Sequence, residues 1–131
     1  MSSVFSAIIN GDLPGRFVYQ DDTVVAFLTI APVAPGHVLI VPRAEVDHWE
    51  SVDPQLWQHI NDVAQKIGTA IKKAFDAPRV GLLIAGLEVP HLHVHVFPAH
   101  SLETFDLSKA EQNPSPESLD DAQKRILAAL R

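Results

Sequence analysis

The stretch His91-Leu92-His93-Val94-His95-Val96-Phe97 alternates histidine with an apolar residue, which is the pattern of a strand with two different faces. Side chains along a strand point alternately to its two sides, so the three imidazoles share one face while Leu92, Val94 and Val96 share the other. Burial of the aliphatic face would hold the backbone rigid, and a rigid backbone holds the imidazoles in fixed positions. We therefore expect this stretch to carry both a part of the core and the functional site.

A row of imidazoles is compatible with more than one chemistry. A neutral imidazole can attack an electrophile, transfer a proton or bind a metal ion near pH 7, because its unperturbed pKa lies there. Neighbouring side chains on one face of a strand stand ~6.5 to 7 Å apart, so at most two of the three would bind one small ion. A nucleophilic site, a site with two imidazoles on zinc or iron, and a purely structural row are therefore the three interpretations of this pattern.

Composition narrows the class of protein. The 131 residues, 14.3 kDa in mass, are enough for one domain with a sizeable core. The net charge is −6 and no basic run occurs, which argues against a nucleic-acid polymer as partner. The sequence has no cysteine, so disulfides and thiolate metal sites are excluded. It has neither a leader-like start nor a run of roughly 18 apolar residues, so we expect a cytoplasmic protein with no membrane partner.

Hydrophobic periodicity, caps and turn residues predict three helices and five strands. The predicted helices are 3–10, 53–75 and one from about 115, and the predicted strands are 17–19, 24–28, 37–41, 80–85 and 91–97. Residues 101–113 are polar, so a poorly ordered or extended connection is expected there.

This order of elements predicts an α+β fold. Residues 1–100 would form a domain with an antiparallel five-stranded sheet, a long helix and a short N-terminal helix, and residues 101–131 a C-terminal extension with the last helix. Helices on one face of the sheet leave its other face, or its edge, in need of a neighbour. A homodimer is therefore expected.

Two segments carry a family resemblance. They are Gly36-His37-Val38-Leu39-Ile40-Val41-Pro42 and, about fifty residues later, the His91–His95 row. Together they resemble the histidine triad (HIT) family, in its Hint-like branch. The resemblance covers about residues 3–98 and includes Phe5-x-x-Ile8-Ile9, Tyr19-x-Asp21-Asp22 and Ala31-Pro32-x-x-Pro35.

The resemblance implies an enzyme that cleaves at the α-phosphorus of nucleoside phosphoramidates or dinucleoside polyphosphates. By the same resemblance His93 is the nucleophile and forms a nucleotidyl-histidine intermediate, while the backbone carbonyl of His91 accepts a hydrogen bond from its ring. His95 would hydrogen-bond a phosphate oxygen or pass a proton to the leaving group, and His37 completes the catalytic group from the neighbouring strand. The alternative is a nucleotide-binding regulatory protein with weak or lost catalysis.

The family's pocket for a purine nucleotide also maps onto this sequence. The resemblance assigns to it Phe5, Ile8, Leu13, Leu28, Thr29 and Ile30, and the loop before the triad adds Leu87 and Val89. Phe5, Ile8 and Leu13 are equally compatible with a place in the core, because a purine face and a core wall use the same residue types.

The first departure from the family pattern concerns metal. Many relatives hold a structural zinc ion with Cys-x-x-Cys and two histidines, whereas Ser3 and Ser6 occupy the cysteine positions here. Glu45 occupies one histidine position, with His48 close by. Serine hydroxyls are poor zinc ligands, so the sequence predicts no metal and no other cofactor.

Two further departures concern the substrate. Thr29 stands where relatives have an acidic residue for the ribose hydroxyls, and its hydroxyl makes a weaker, uncharged hydrogen bond. Glu88 replaces the hydroxyl that serves the leaving group. Its carboxylate would face solvent, form a salt bridge or select a cationic leaving amine.

Overall fold

Three α-helices and five strands succeed one another along residues 3–131, the part of the chain that the computed structural model describes. They are α1 (Val4–Ile9), β1 (Phe17–Gln20), β2 (Val24–Leu28), β3 (Val38–Pro42), α2 (Pro54–Ala74), β4 (Arg79–Leu83), β5 (Val94–Ala99) and α3 (Pro116–Ala129). The strands form one antiparallel sheet in the order β1-β2-β3-β5-β4. The predicted α+β class and the five-stranded antiparallel sheet are confirmed.

Each helix begins at a side-chain cap. The caps are Ser3, Asp53 and Ser115, which accept hydrogen bonds from the amides of Ser6, Gln55 and Ser118 at 3.1, 3.3 and 3.1 Å. Such a cap satisfies one of the amides that a first helical turn leaves unpaired. Proline follows the cap in α2 and α3, where its missing N–H costs nothing.

The main core lies between the sheet and the two long helices. Leu92, Val94 and Val96 are buried in it, as the alternating pattern predicts. The side chains that α3 contributes are Leu119, Ala122 and Ile126, and α2 contributes residues at helical spacing from Ile60 to Ile71. The histidines of the row therefore lie on the sheet face that α2 and α3 leave free.

A smaller core covers that second face. Phe5 of α1 packs there with Val25 and Phe27 of β2 and with Leu39 and Val41 of β3. The expectation that the helices all cover one face of the sheet is therefore wrong for α1, because Phe5 of this helix packs on the other face, beside the histidine row. A short helix of six residues contributes little core of its own, and its place is fixed by Phe5 and by its cap.

Two segments differ from the sequence-based expectation. The last strand begins at Val94 rather than at residue 91, because its pairing with β3 starts at Ile40 and Val94. Residues 101–113, expected to be extended or poorly ordered, contain two 3-10 turns at Leu102–Phe105 and Leu107–Lys109. The hydroxyl of Thr104 accepts the amides of His100 and Ser101, which stabilises the first of these turns.

The segment after β5 returns to the body of the protein. The amide of Glu111 donates to the carbonyl of Pro32 at 2.9 Å, and α3 then packs on α2. The division into a domain at 1–100 and an extension at 101–131 stays a prediction. Within the described residues 3–131, a helix with the length and apolarity to cross a bilayer does not occur.

Candidate active site

Four histidines gather on the second face of the sheet. His37, His91, His93 and His95 are 2, 0, 7 and 8 % exposed. His37 enters the site from the turn before β3, where Gly36 has φ +98° and lies so close to the ring of Phe75 that a Cβ would stand 2.6 Å from it. The rings of His93 and His95 lie with their centroids 5.0 Å apart. The structure thus brings together all four histidines that the sequence predicts to be catalytic.

The hydrogen bond of His93 determines which of its nitrogens can react. Its Nδ1 lies 2.8 Å from the backbone carbonyl oxygen of His91. A carbonyl oxygen only accepts, so Nδ1 carries the proton and donates it. In a neutral ring the Nε2 atom then holds a free lone pair, which is the form that a nucleophile needs.

A second chain of hydrogen bonds determines the proton position on His95. The amide of Val33 donates to Nδ1 of His37 at 3.1 Å, so a neutral His37 carries its proton on Nε2. This Nε2 lies 2.9 Å from Nδ1 of His95 and donates to it. A neutral His95 therefore carries its own proton on Nε2.

That Nε2–H group is an unsatisfied donor. Within residues 3–131, Nε2 of His95 is a buried side-chain nitrogen without a hydrogen-bond partner. Buried donors in folded proteins are almost always paired, so this N–H group, which no protein atom accepts, is available to water or to a bound ligand. The arrangement is therefore a lone pair on His93 beside a donor on His95, which suits an electrophile that carries an oxygen acceptor.

Burial keeps these rings neutral. Desolvation, with the neighbouring His95 and His93 as smaller causes, lowers the pKa of His37 to about 3. Desolvation and the neighbouring His93 lower the pKa of His95 to about 4. Desolvation also lowers the pKa of His93, although its hydrogen bond to His91 and the carboxylates of Glu88 and Asp47 oppose the shift. The proton positions derived above therefore apply at neutral pH.

His91 has a different environment from the other two members of the row. Its Nε2 lies 2.7 Å from the carbonyl oxygen of Pro42 and its Nδ1 lies 2.6 Å from the hydroxyl of Ser3. Both ring nitrogens are thus occupied by protein groups. We conclude that the side chain of His91 holds the site together, while its backbone carbonyl is the group that touches His93.

The predicted nucleotide-binding residues fall into two groups. Phe5, Ile8 and Val89 lie together in or against the smaller core, and the ring of Phe5 packs edge-on to His93 with centroids 4.8 Å apart. Thr29 is half-buried, and its hydroxyl accepts the amide of Ala31. Leu13, Ile30 and Leu87 are exposed by 43, 75 and 92 %.

Leu28 does not fit the predicted pocket through its side chain. It is buried in the main core, on the face of the sheet that packs against α2 and α3. The alternation along β2 explains this result, because Phe27 points to the histidine face and its neighbour must point away. Glu88 is exposed, which agrees with the first of the three roles expected for it.

Some groups of the site escape sequence reasoning. The carbonyl of Pro42 and the amide of Val33 are backbone groups, so the residue types at these positions do not predict their contacts. The sequence points to Ser3, Ser6 and Glu45 only as places where cysteine and histidine are missing, and the structure shows them joined to His91 by hydrogen bonds.

Comparison with known proteins gives the family of the chain. The family model of the HIT domain matches residues 10–102, which include all four histidines. The chain belongs to the histidine triad (HIT) family. It is 32 % identical over 136 residues to an uncharacterized HIT-like protein of Saccharolobus solfataricus, covering 98 % of this chain and 97 % of that protein.

Two further relatives bear on the site. A purine nucleoside phosphoramidase of Escherichia coli is 36 % identical over 100 residues, covering 72 % of this chain and 84 % of that enzyme. A crystal structure of a zinc-bound histidine triad family protein from Mycobacterium smegmatis superimposes with a TM-score of 0.82 at 27 % identity, covering 99 % of this chain and 94 % of that one. HIT proteins of the same fold therefore include one with bound zinc.

The side chains of this HIT protein do not suit zinc at the place where the sequence departs from its relatives. The available donors are two hydroxyls, one carboxylate and the Nδ1 atom of His91, and Ser3 already bonds that nitrogen. Structural zinc is held by thiolates and imidazoles. Within the described residues 3–131, no group of three or more histidine, aspartate or glutamate side chains is placed to hold a metal ion. The donor set of this HIT protein fits hydrogen bonding and does not fit a structural zinc ion.

Proposed function

We propose that this protein is a nucleotide hydrolase or transferase that cleaves at the α-phosphorus of purine nucleoside phosphoramidates or dinucleoside polyphosphates. The observation that carries the proposal is the pair formed by the free Nε2 lone pair of His93 and the unpartnered Nε2–H of His95. A phosphoryl group fits both, since its phosphorus is electrophilic and its oxygens accept hydrogen bonds. The similarity to a purine nucleoside phosphoramidase supports phosphoramidates as the first class to test.

The reaction proceeds in two displacements. Nε2 of His93 attacks the α-phosphorus, a nitrogen–phosphorus bond forms, and the bond to the leaving group breaks while the leaving group takes a proton from water. The ring then carries a positive charge, which the hydrogen bond from Nδ1 to the carbonyl of His91 stabilises. Water next attacks the phosphorus, which releases the nucleoside monophosphate, returns the electron pair to His93 and gives a proton to solvent.

His95 acts in both displacements as a hydrogen-bond donor. With a pKa of about 4 it is neutral at pH 7, so its Nε2–H binds a phosphate oxygen without transferring a proton. A donor that is in place before the reaction stabilises developing charge without reorganisation, and the loss of one such donor costs about 10²- to 10³-fold in rate. His37 keeps this donor in place through its own hydrogen bond to His95.

The nucleotide base has an apolar wall beside the nucleophile. Phe5 packs edge-on to His93, and Ile8 and Val89 pack against the smaller core that contains Phe5. An apolar wall of this kind suits the face of a purine. Residues 84–100 contain no lysine or arginine, so the donors that this segment offers to a phosphate are imidazole and backbone N–H groups. A site of this kind suits one phosphoryl centre better than a densely charged chain of phosphates.

The proposal is tested with the full chain and a panel of adenylated amines and dinucleoside polyphosphates. The quenched protein is expected to show one added nucleotidyl mass by intact mass spectrometry, and His93→Ala is expected to lose both the adduct and turnover while it still binds nucleoside monophosphate. The exposed His100 provides a matched control, since His100→Ala retains both. Full turnover by His93→Ala would overturn the proposal. Binding of nucleotide with no adduct from any substrate would instead support the regulatory alternative.

We also propose that the protein forms a homodimer through the edge of β4. The other edge of the sheet is covered, because Gln123 of α3 donates to the carbonyl of Phe17 in β1 at 2.9 Å. The edge at β4 carries Leu82 with 52 % of its surface exposed, next to an open groove along α2. An antiparallel strand pair with a twofold axis satisfies such an edge on both copies at once.

A further inference from the structure

The first two members of the histidine row lie outside the sheet ladder. β5 begins at Val94, and the pairs with β3 and β4 include neither His91 nor His93. The backbone of residues 89–93 is instead held by separate contacts, among them the amide of His91 on the carbonyl of Val89 and the amide of Leu92 on the carbonyl of Val46. The direction of the His91 carbonyl, which orients the nucleophile, therefore depends on what holds His91.

The ring of His91 is held from two sides. Its Nε2 donates to the carbonyl of Pro42 at 2.7 Å, since that oxygen cannot donate. Nδ1 of a neutral ring is then an acceptor, and the hydroxyl of Ser3, 2.6 Å away, donates to it. One contact comes from the end of β3 and the other from the cap of α1.

The hydroxyl of Ser3 belongs to a longer chain of hydrogen bonds. It accepts the amide of Ser6 at 3.1 Å, and its one proton has two acceptors within reach, Nδ1 of His91 at 2.6 Å and the hydroxyl oxygen of Ser6 at 3.4 Å. The much shorter distance assigns the proton to His91. The hydroxyl of Ser6 donates to Oε1 of Glu45 at 2.5 Å, and the amide of Ser3 donates to the same oxygen at 2.7 Å. The Ser6 hydroxyl and the Ser3 amide lower the pKa of the Glu45 carboxyl, so it is ionised and accepts both bonds at neutral pH.

We propose that Ser3, Ser6 and Glu45 are positioning residues that fix the ring of His91 and, through its backbone carbonyl, the proton position and direction of attack of His93. The proposal rests on the function proposed above for His93. The donor atoms of these residues do not fit a metal ion, and their hydrogen bonds orient the ring of His91 instead. They also hold α1, whose Phe5 packs edge-on to His93.

The choice of variants separates this role from helix capping. Ser3→Gly removes the hydroxyl but keeps most of the capping ability, because glycine is only a few tenths of a kcal/mol worse than serine at a cap. Ser3→Thr keeps both the cap and the hydroxyl. Ser115→Gly is the matched control, since Ser115 caps α3 with the same 3.1 Å bond and does not contact the histidines.

The first measurement is the imidazole nitrogen–proton correlation spectrum of the full chain without substrate, which distinguishes Nδ1–H from Nε2–H rings. Wild type, Ser3→Thr and Ser115→Gly are expected to show His93 as the Nδ1–H form alone. Ser3→Gly is expected to show a mixture of both forms at His93. Glu45→Ala, a change at an exposed residue, is expected to show a smaller shift in the same direction and serves if Ser3→Gly does not fold.

The second measurement is the single-turnover rate of adduct formation. Ser3→Gly is expected to lose about 10- to 100-fold, the usual cost of a misplaced or unsupported reactive group. The Kd for nucleoside monophosphate is expected to stay within about threefold of wild type, because the phosphate and base contacts remain. Ser3→Thr restores the rate.

Three results would overturn the proposal. The first is that Ser3→Gly folds and shows the ring forms and rate of wild type, or that Glu45→Ala does so if Ser3→Gly does not fold. The second is that Ser3→Thr loses as much rate as Ser3→Gly. The third is that Ser115→Gly loses as much rate as Ser3→Gly.

Failure of the proposed function would give a different result. If wild type forms no adduct with any substrate but Ser3→Gly changes the ring forms of His93, the positioning role stands and the function does not.

Discussion

The direction of each hydrogen bond decides what a single histidine can do here. Backbone carbonyls force a proton onto Nδ1 of His93 and Nε2 of His91, and the amide of Val33 forces one onto Nε2 of His37. The four rings therefore differ in role although they are the same residue type, and alternation in the sequence could not distinguish them. Sequence reasoning places the imidazoles on one face, but their roles follow from acceptors that belong to the backbone.

The low pKa of His93 leads to a prediction for the pH dependence of the rate. Desolvation lowers this pKa below the usual 6.5, so the reactive lone pair persists at pH values where an ordinary histidine is already protonated. The single-turnover rate of adduct formation is expected to reach half of its plateau value at a pH below 6.5. Stopped-quench measurements on the folded protein test it, and a half-maximal rate at or above pH 6.5 would contradict it.

Among the elements, the hairpin of β1 and β2 is joined to α2 by one carboxylate. Asp21 accepts hydrogen bonds from the amides of Thr23 and Val24, from the hydroxyl of Tyr19 and from His59 of α2, whose Nε2 is 2.6 Å away. His59 lies on the polar side of α2 with 39 % of its side chain exposed, and its Asp21 partner comes from a distant turn. Asp21 thus joins the turn between β1 and β2 to α2 by hydrogen bonds, in addition to the main core that the two elements share.

This junction predicts a specific acid sensitivity. Partial burial would raise the pKa of Asp21, but the bonds from Tyr19, Thr23, Val24 and His59 outweigh burial and hold it well below the usual 3.8. The stabilisation is therefore complete above that pH and is lost as the pH falls below it. Asp21→Ala is expected to lower the free energy of unfolding by about 1 to 2 kcal/mol at pH 7, after allowance for its partial exposure.

Urea denaturation of Asp21→Ala and wild type at several pH values measures this effect. The difference between the two proteins is expected to shrink as the pH is lowered through and below 3.8. Asp22→Ala, at the exposed neighbouring residue, is the matched control and should behave as wild type. A difference that is the same at every pH would show that the charge of Asp21 is not responsible.

Element by element, the sequence predicts most of the fold and a part of the site. Period-two runs, Asp53-Pro54 and Ser115-Pro116 locate strands and helix starts within a few residues, because these signals are local. The face on which α1 packs, the start of β5 at Val94 and the turns after Ser101 depend on contacts between distant segments, and local patterns do not contain them. Leu28 shows the same limit. The family resemblance assigns it to the pocket, but the alternation of side chains along β2 directs its side chain into the main core, away from the site.

At the scale of the whole molecule, the open edge at β4 makes assembly testable. Leu82→Lys places a charge on the proposed contact and is expected to convert a dimer to a monomer, as measured by light scattering after size-exclusion chromatography. Leu127→Lys changes a similarly apolar, partly exposed residue of α3 and should leave the mass unchanged. A wild-type mass of one chain at micromolar concentration would refute the dimer.

The buried histidines His37 and His95 also lower the free energy of unfolding at mildly acidic pH. The pKa values in the folded protein are about 3 for His37 and about 4 for His95, below the value of 6.5 in the unfolded chain. As the pH falls below 6.5, the unfolded chain therefore binds protons that the folded chain does not bind. Stability is therefore full above pH 6.5 and declines as the pH falls towards 4, by up to about 1.4 kcal/mol per pH unit for each ring.

Chemical denaturation at pH 7 and pH 5 tests this decline. His37→Gln is expected to depend less on pH than wild type, because one of the two rings is gone, while His100→Gln at an exposed position keeps the full dependence. Equal unfolding free energies at pH 7 and pH 5 in wild type would contradict the prediction.

The contacts that hold His91 span long distances along the chain, 88 residues to Ser3 and 49 residues to Pro42. Such contacts close large loops, and they form only after β3 and the last strand have met in the sheet. During synthesis the chain can thus have most of its secondary structure while the ring of His93 is not yet held in its reactive orientation. Recovery of adduct formation after dilution from urea should accordingly lag behind recovery of helical circular dichroism, and reactivity becomes a reporter of the last folding event.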